Sequence, residues 1–220
     1  MAKVTIFAGG FGSGKSELAI NYALERSRYV DSIILADLDL VNPYFAARDV
    51  RDLLEARGIR LLAPAGELSY ADVPGIPSEI IGILRGPDEV IIDVAGDEVG
   101  SMVLGYLSRY IKDRDYVFYL VLNPYRPFAR DLASVMELKQ LLEGAAHLNF
   151  TGLISNPNLM VETNPEIIRS GQQMVLDYAQ AMRLPLCYIT VEARFWGDLV
   201  HEYGKILKPI TLYLKPEWLQ

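Results

Sequence analysis

Cysteine is nearly absent from this 220-residue sequence and histidine is scarce: one Cys and two His. A single thiol, Cys187, excludes an internal disulfide and any metal site built from several thiolates. It lies in the apolar run "LPLCYIT" and reads as a small buried hydrophobe. With His147 and His201 as the imidazoles, a Cys–His nucleophilic pair has poor material. Positive charge is short as well: 21 Lys and Arg against 28 Asp and Glu leave a net charge of -7. That balance weighs against nucleic acid as a partner, because such binding rests on Lys and Arg neutralising phosphates. No apolar run approaches the ~18 residues of a membrane span. The chain reaches a strand within its first residues, without the charged-then-apolar layout of a signal peptide. The expectation is a soluble, cytoplasmic protein with no membrane anchor.

Apolar residues make up 51% of the chain and charged residues 22%, which is enough to build a substantial core. Short apolar runs predict strands at 3–8, 32–37, 59–64, 89–94, 116–122, 148–154 and 186–190. Several are continuously apolar, as strands covered on both faces of a parallel sheet should be. Helical patterns lie between them at 15–28, 44–57, 77–85, 99–112, 127–143, 164–182 and 195–204. This alternation predicts a doubly wound, mostly parallel α/β sheet. No long linker or repeat divides it, so 1–220 reads as a single domain. Pro209 and Pro216 break any helix in the tail, which leaves an edge strand or an extended arm over 209–220.

Between the first strand and the first helix stands "FAGGFGSGKSEL". Gly9, Gly14, Lys15 and Ser16 satisfy GxxxxGK[ST], the phosphate-binding P-loop. Glycines let the backbone wrap phosphate oxygens, and loop N–H groups then point inward. Lys15 should bridge the outer phosphates and Ser16 should ligate Mg2+. The expected nucleotide contacts are Gly9, Gly10, Phe11, Gly12, Ser13, Gly14, Lys15, Ser16 and Glu17.

Downstream acids complete such a site. Asp93 ends the strand "EVIIDV" and Gly96 follows it as DxxG. That spacing places a carboxylate near the metal and a glycine N–H within reach of a γ-phosphate. Asp37 and Asp39 end the second strand two residues apart, so in extended chain they share a side. Asp39 is the candidate for orienting the attacking water, with Asp37 supporting Mg2+. The expected metal set is thus Ser16, Asp37, Asp39 and Asp93, with Lys15 and Asp39 as the catalytic pair. Asn42 could cap the next helix, with Pro43 at its first position, without engaging these acids.

Asp37-x-Asp39 after the second strand, together with Asp93 and Gly96, resembles the MinD/ParA/nitrogenase-iron-protein class of P-loop ATPases. "DVAGDEVG" (93–100), "LNPYRPFARDLASVMELKQLL" (122–142), "GLISNPNL" (152–159) and "PLCYITVEARF" (185–195) resemble segments of that class in the same order. The resemblance spans about residues 3–200. It implies ATP bound with Mg2+, hydrolysis coupled to switch movement or partner binding, and nucleotide-sandwich homodimers. It also implies that Asn156 reads the adenine edge, although "SNPN" is equally the composition of a turn. Pro157 and Leu159 stand where a GTP-type NKxD would need Lys and Asp, which favours ATP. Three positions depart from the class. Gly10 replaces the signature lysine that reaches a dimer partner's phosphates, Phe11 replaces a small loop residue, and Gly100 replaces the iron protein's cluster-ligating cysteine. Intrinsic hydrolysis should therefore be slow unless Arg48, Arg126 or Arg130 supplies the missing cation.

The functional expectation is a Mg-ATP-binding switch, a slow ATPase acting with an unidentified protein partner. The alternative is an ATP-dependent ligase similar to dethiobiotin synthetase or the cobyrinic acid amidases, acting on a small-molecule acid. The loop 63–79, rich in Pro, Gly and acids, could serve either a substrate pocket or a docking surface, or be a plain surface loop.

Overall fold

In the computed structural model the described residues are 3–39, 47–63 and 79–214. Eight strands form one sheet: β1 (Val4–Ala8), β2 (Ile33–Leu38), β3 (Ile59–Leu62), β4 (Glu89–Val94), β5 (Tyr116–Leu122), β6 (Gly152–Ser155), β7 (Leu186–Glu192) and β8 (Leu207–Ile210). Their order is β3-β2-β4-β1-β5-β6-β7-β8, and every neighbouring pair is parallel. Among the described residues seven α-helices accompany it: α1 (Lys15–Arg26), α2 (Arg51–Glu55), α3 (Glu79–Arg85), α4 (Glu98–Lys112), α5 (Leu132–Ala146), α6 (Pro165–Met182) and α7 (Trp196–Tyr203). This is the expected doubly wound α/β architecture, of the P-loop NTPase type.

Strand side chains alternate between two buried layers. Val4, Ile6, Val90, Ile92, Phe118 and Leu120 pack under α3–α6, with Leu104, Leu107, Val135 and Val175 from those helices. Phe7, Leu35, Ile91, Tyr119 and Val121 face the other way, against Leu18, Ile20 and Ala23 of α1 and Leu54 of α2. Both faces are dry, which is why the strands read as unbroken apolar runs. Each fully buried Leu or Ile contributes roughly 1.5–3 kcal/mol.

Local polar groups set the boundaries that periodicity misses. The expected helix at 127–143 starts later, because Asp131 caps α5 by accepting the Ser134 N–H at 2.8 Å. Ahead of it lies a separate 3-10 turn, Pro127–Ala129. The expected strand at 148–154 shrinks to Gly152–Ser155. His147 ends α5 in the left-handed region (φ 52), so Leu148 and Phe150 return the chain to the sheet as buried anchors. Phe150 stacks on Phe118 with ring centroids 4.0 Å apart. The expected helix at 44–57 is, within the described residues, a 3-10 turn (Ala47–Val50) followed by the single-turn α2. Asn42, Pro43, most of the 63–79 loop and residues 215–220 lie outside the described residues. The tail does supply an edge strand: β8 pairs with β7, Pro209 standing opposite Val191. An edge position tolerates a residue without an N–H.

Candidate functional site

β1 sits at the middle of the sheet between β4 and β5, so the loop that leaves it emerges where flanking strand ends converge. Gly14 caps α1 with φ 90, and Gly12 has φ 74; both lie in the left-handed region that favours glycine. No side chain caps α1, so the N–H groups of its first turn face the loop interior without an intrahelical acceptor. The DxxG glycine, Gly96, packs directly on the Gly9 carbonyl, where a Cβ would overlap the loop backbone. The loop and the β4 end are thus one packed unit.

The expected acids meet the loop lysine. Lys15 is buried, and its Nζ lies 3.2 Å from Asp39 Oδ2. Asp37 stands opposite Asp93 in the β2–β4 register. Its Oδ1 accepts the Asp39 N–H at 3.2 Å, while its Oδ2 faces Arg48 Nε at 3.6 Å, a charge pair rather than a hydrogen bond. Arg48 also donates to the Asp39 carbonyl at 3.1 Å. Burial pushes the Asp37 carboxyl up to about 6 against the downward pull of Arg48.

Asp93 is fully buried and its carboxyl is pushed up to about 7. Burial is the main cause; Lys15 opposes it and the nearby Asp37 adds to it. The Ser16 hydroxyl also draws it down, yet among the described residues neither Asp93 oxygen completes a hydrogen bond. An unpartnered buried carboxylate is costly unless protonated or given a cation. The group therefore fits an Mg2+ site. No group of three or more His, Cys, Asp or Glu among the described residues is arranged to hold a metal alone.

Asn156 follows β6 and is buried against the loop. Its Nδ2 donates to the Ser13 carbonyl at 2.8 Å, and its Oδ1 accepts the Thr190 hydroxyl at 2.9 Å. One N–H and one lone pair of the carboxamide are thereby used to hold the loop against the β6 and β7 ends. A Cβ on Gly14 would overlap Nδ2, so that glycine is required on steric as well as conformational grounds.

Glu17 behaves differently from its neighbours. Its carboxylate turns away and accepts the Tyr213 and Leu214 N–H groups at 2.6 and 3.0 Å. Asn21, one turn on, exchanges hydrogen bonds with the Thr211 backbone at 2.8 and 2.9 Å. The tail is thus strapped along the P-loop helix, and only the Glu17 backbone remains beside the loop.

The position of the absent lysine has a steric explanation. A Cβ on Gly10 would stand 2.6 Å from Phe128 Cβ and 2.9 Å from its Cγ. The 3-10 turn after β5 fills the space where a side chain at 10 would begin. Phe11 and Phe128 are exposed, at 68% and 48%. Of the candidate arginines, Arg48 is engaged with Asp37 and Asp39, and Arg130 is exposed and pairs with Asp131 at 3.2 Å. Arg126 lies on the loop at Gly12. Sequence reading gave no loop-supporting role to Phe128 or Thr190, although both lie in the segments 122–142 and 185–195 that resemble the class. Asn123 there donates to the Asn158 carbonyl at 2.8 Å, tying the β5 and β6 ends together. Cys187 is half-buried in β7, and burial pushes its thiol up, as a packing residue requires.

No protein-family profile matches the sequence, and no curated protein matches it. Solved structures do resemble it. Cell division protein FtsY from Thermotoga maritima gives a TM-score of 0.60 at 20% identity, covering 86% of this chain and 61% of that one. FtsY from Mycoplasma mycoides gives 0.61 at 15%, covering 87% and 60%. The signal recognition particle 54 kDa protein from Aeropyrum pernix K1, in complex with GDP, gives 0.56 at 17%, covering 86% and 41%. At these identities the likeness is one of fold. The chain spans between 41% and 61% of the length of these proteins. No helix of the described residues is long and apolar enough to cross a membrane.

Proposed function

We propose that this chain binds Mg-ATP and works as a slow ATPase, a nucleotide-dependent switch acting with a protein partner and related to the MinD/ParA class. The observation that carries this reading is the buried, unpartnered Asp93 carboxylate beside the lysine and serine of a glycine loop. The N–H groups of the loop from Gly9 through Glu17, with Lys15, would hold the phosphates. Ser16 and Asp93 would hold Mg2+, with Asp37 and Asp39 around it. Bound Mg2+ supplies charge neutralisation at the phosphates. Asp39 would orient water once released from Lys15, and Gly96 would donate to the terminal phosphate.

Slow turnover follows from Gly10, since Phe128 occupies the space a signature lysine would need. Preference for ATP rests on Pro157 and Leu159 in place of the NKxD residues, and the GDP of one structural relative makes guanine nucleotides the necessary competitor. Asn156 keeps one N–H and one lone pair for an adenine edge.

Calorimetry with Mg-ATP and Mg-GTP tests the reading. The wild-type chain should bind Mg-ATP more tightly, and Lys15→Ala should abolish binding. Equal affinity in wild type and Lys15→Ala would reject the site. Sedimentation with and without Mg-ATP tests the homodimer that the class implies.

A further inference from the structure

Arg126 stands out among the arginines that are not freely exposed. Arg26 forks onto Glu89 at 2.7 Å through two nitrogens, Arg48 faces Asp37, and Arg114 donates to the carbonyls of Ile83, Leu84 and Asp88. Arg126 has no such partner: among the described residues it forms no ion pair, and its buried Nε makes no hydrogen bond. Its backbone is nevertheless pinned. Its N–H donates to the Asn123 carbonyl at 3.0 Å, and its own carbonyl accepts the Ala129 N–H at 2.9 Å. The side chain lies along the P-loop, where a Cβ on Gly12 would stand 3.2 Å from Nε and 3.3 Å from Cδ.

A guanidinium held on a phosphate-binding loop, with an orphan buried donor, is unfavourable by itself. Such a group is destabilising when nothing accepts its hydrogen bond. Native structures keep few such donors, and each calls for an acceptor. In a chain of net charge -7, the absence of a carboxylate partner for this arginine among the described residues is a further departure. The acceptor of matching chemistry is phosphate, which a planar guanidinium binds bidentately. The same turn that excludes a side chain at Gly10, through Phe128, carries Arg126 two residues earlier.

We propose that Arg126 is a polyphosphate-binding residue acting in cis, the second cation of this loop beside Lys15; it serves binding and does not supply the charge that a signature lysine would bring from a dimer partner. The proposal rests on the nucleotide-binding reading above and deepens it. It assigns to the chain's own β5–α5 connection a phosphate-binding charge.

The test is calorimetry of the full chain with Mg-ATP and, separately, with inorganic tripolyphosphate, which has no base or ribose. Arg126→Ala should weaken both ligands tenfold or more, with a ligand-free melting temperature no lower than wild type. Arg126→Lys, which keeps the charge without the planar fork, should recover only part of the loss, and Arg130→Ala should leave both affinities at wild type. Should Arg126→Ala unfold, Arg126→Gln keeps much of the stem on Gly12, removes the charge and carries the same expectation. Wild-type tripolyphosphate affinity in the neutral variants would overturn the proposal, leaving Mg-ATP binding by Lys15 intact. Loss of Mg-ATP affinity alone, with tripolyphosphate unchanged, would also overturn it, because the contact would then be to base or ribose. A wild-type chain that binds neither ligand removes the nucleotide reading itself, and this proposal with it.

Discussion

The Lys15 ammonium and the Asp39 carboxylate form a buried ion pair, Nζ to Oδ2 3.2 Å, joining the P-loop helix to the end of β2. Removing one partner of such a pair leaves an uncompensated charge, at a cost of about 3–5 kcal/mol. Lys15→Ala should therefore lower the unfolding free energy in urea by about that amount, and Lys15→Ala/Asp39→Ala should recover most of it. Additive losses would show that the pair is not coupled. In kinetics, Asp39→Ala should keep Mg-ATP affinity and lose turnover; wild-type turnover would reject its role with the attacking water.

Asp93 makes the stability of the metal-free protein depend on pH. Its carboxyl is raised from 3.8 to about 7, so between those values the folded chain holds a proton that the unfolded chain has released. Stability falls as pH rises through that window and levels off above it. Asp37, raised to about 6, acts in the same sense. The melting temperature should therefore drop between about pH 4 and pH 7 in chelator. Asp93→Asn should flatten that drop and melt higher at the alkaline end. An equal drop in the variant would remove Asp93 as the cause.

Asn156 holds the loop through Ser13 and Thr190. Asn156→Ala leaves the Ser13 carbonyl and the Thr190 hydroxyl without this partner, a loss of about 1–3 kcal/mol. On the proposed reading, in which Asn156 both holds a phosphate-binding loop and meets the adenine edge, affinities for Mg-ATP and Mg-GTP should both fall, that for Mg-ATP by the larger factor. An equal fall would leave Asn156 as a loop support alone.

Restoring a lysine at position 10 should fail on packing. Gly10→Lys forces a Cβ to 2.6 Å from Phe128 Cβ, and overpacking of this kind costs about 1–3 kcal/mol. Phe128→Gly/Gly10→Lys, which removes the opposing Cβ as well as the ring, should regain stability relative to Gly10→Lys alone. Chemical denaturation of the four chains reads the cycle; no recovery in the double variant would reject the steric account.

Glu17 fastens the tail. Glu17→Ala removes two charge-assisted bonds to backbone N–H groups, each worth about 1.5–3 kcal/mol. Hydrogen exchange at Tyr213 and Leu214 should accelerate sharply, while exchange in β1 and β4 stays slow. Unchanged tail protection would mean that packing holds the segment by itself.

The loop, its lysine and serine, and the acids at 37, 39 and 93 were legible because each is a local signal. Glycine spacing between a strand and a helix, and an acid at the end of an apolar run, follow from neighbouring residues alone. Strand and helix order was legible for the same reason, apart from boundaries that single caps decide, such as Asp131 and His147. What Asn156 and Glu17 do was not legible. Their partners Ser13 and Tyr213 lie 143 and 196 residues away in sequence, and no periodicity encodes which distant carbonyl or N–H a side chain will meet.

Sequence by itself therefore determined what this chain can offer: a glycine loop with its lysine and serine, acids at the strand ends and an apolar sheet to carry them. Tertiary structure decided how those groups are partnered. It paired Lys15 with Asp39, buried Asp93, turned Glu17 toward the tail, and set the β5 connection on the loop so that Phe128 excludes a side chain at Gly10 while Arg126 lies at Gly12. The reason is that partnership depends on strand order and close packing. A parallel sheet with β1 between β4 and β5 brings together residues that the chain keeps far apart.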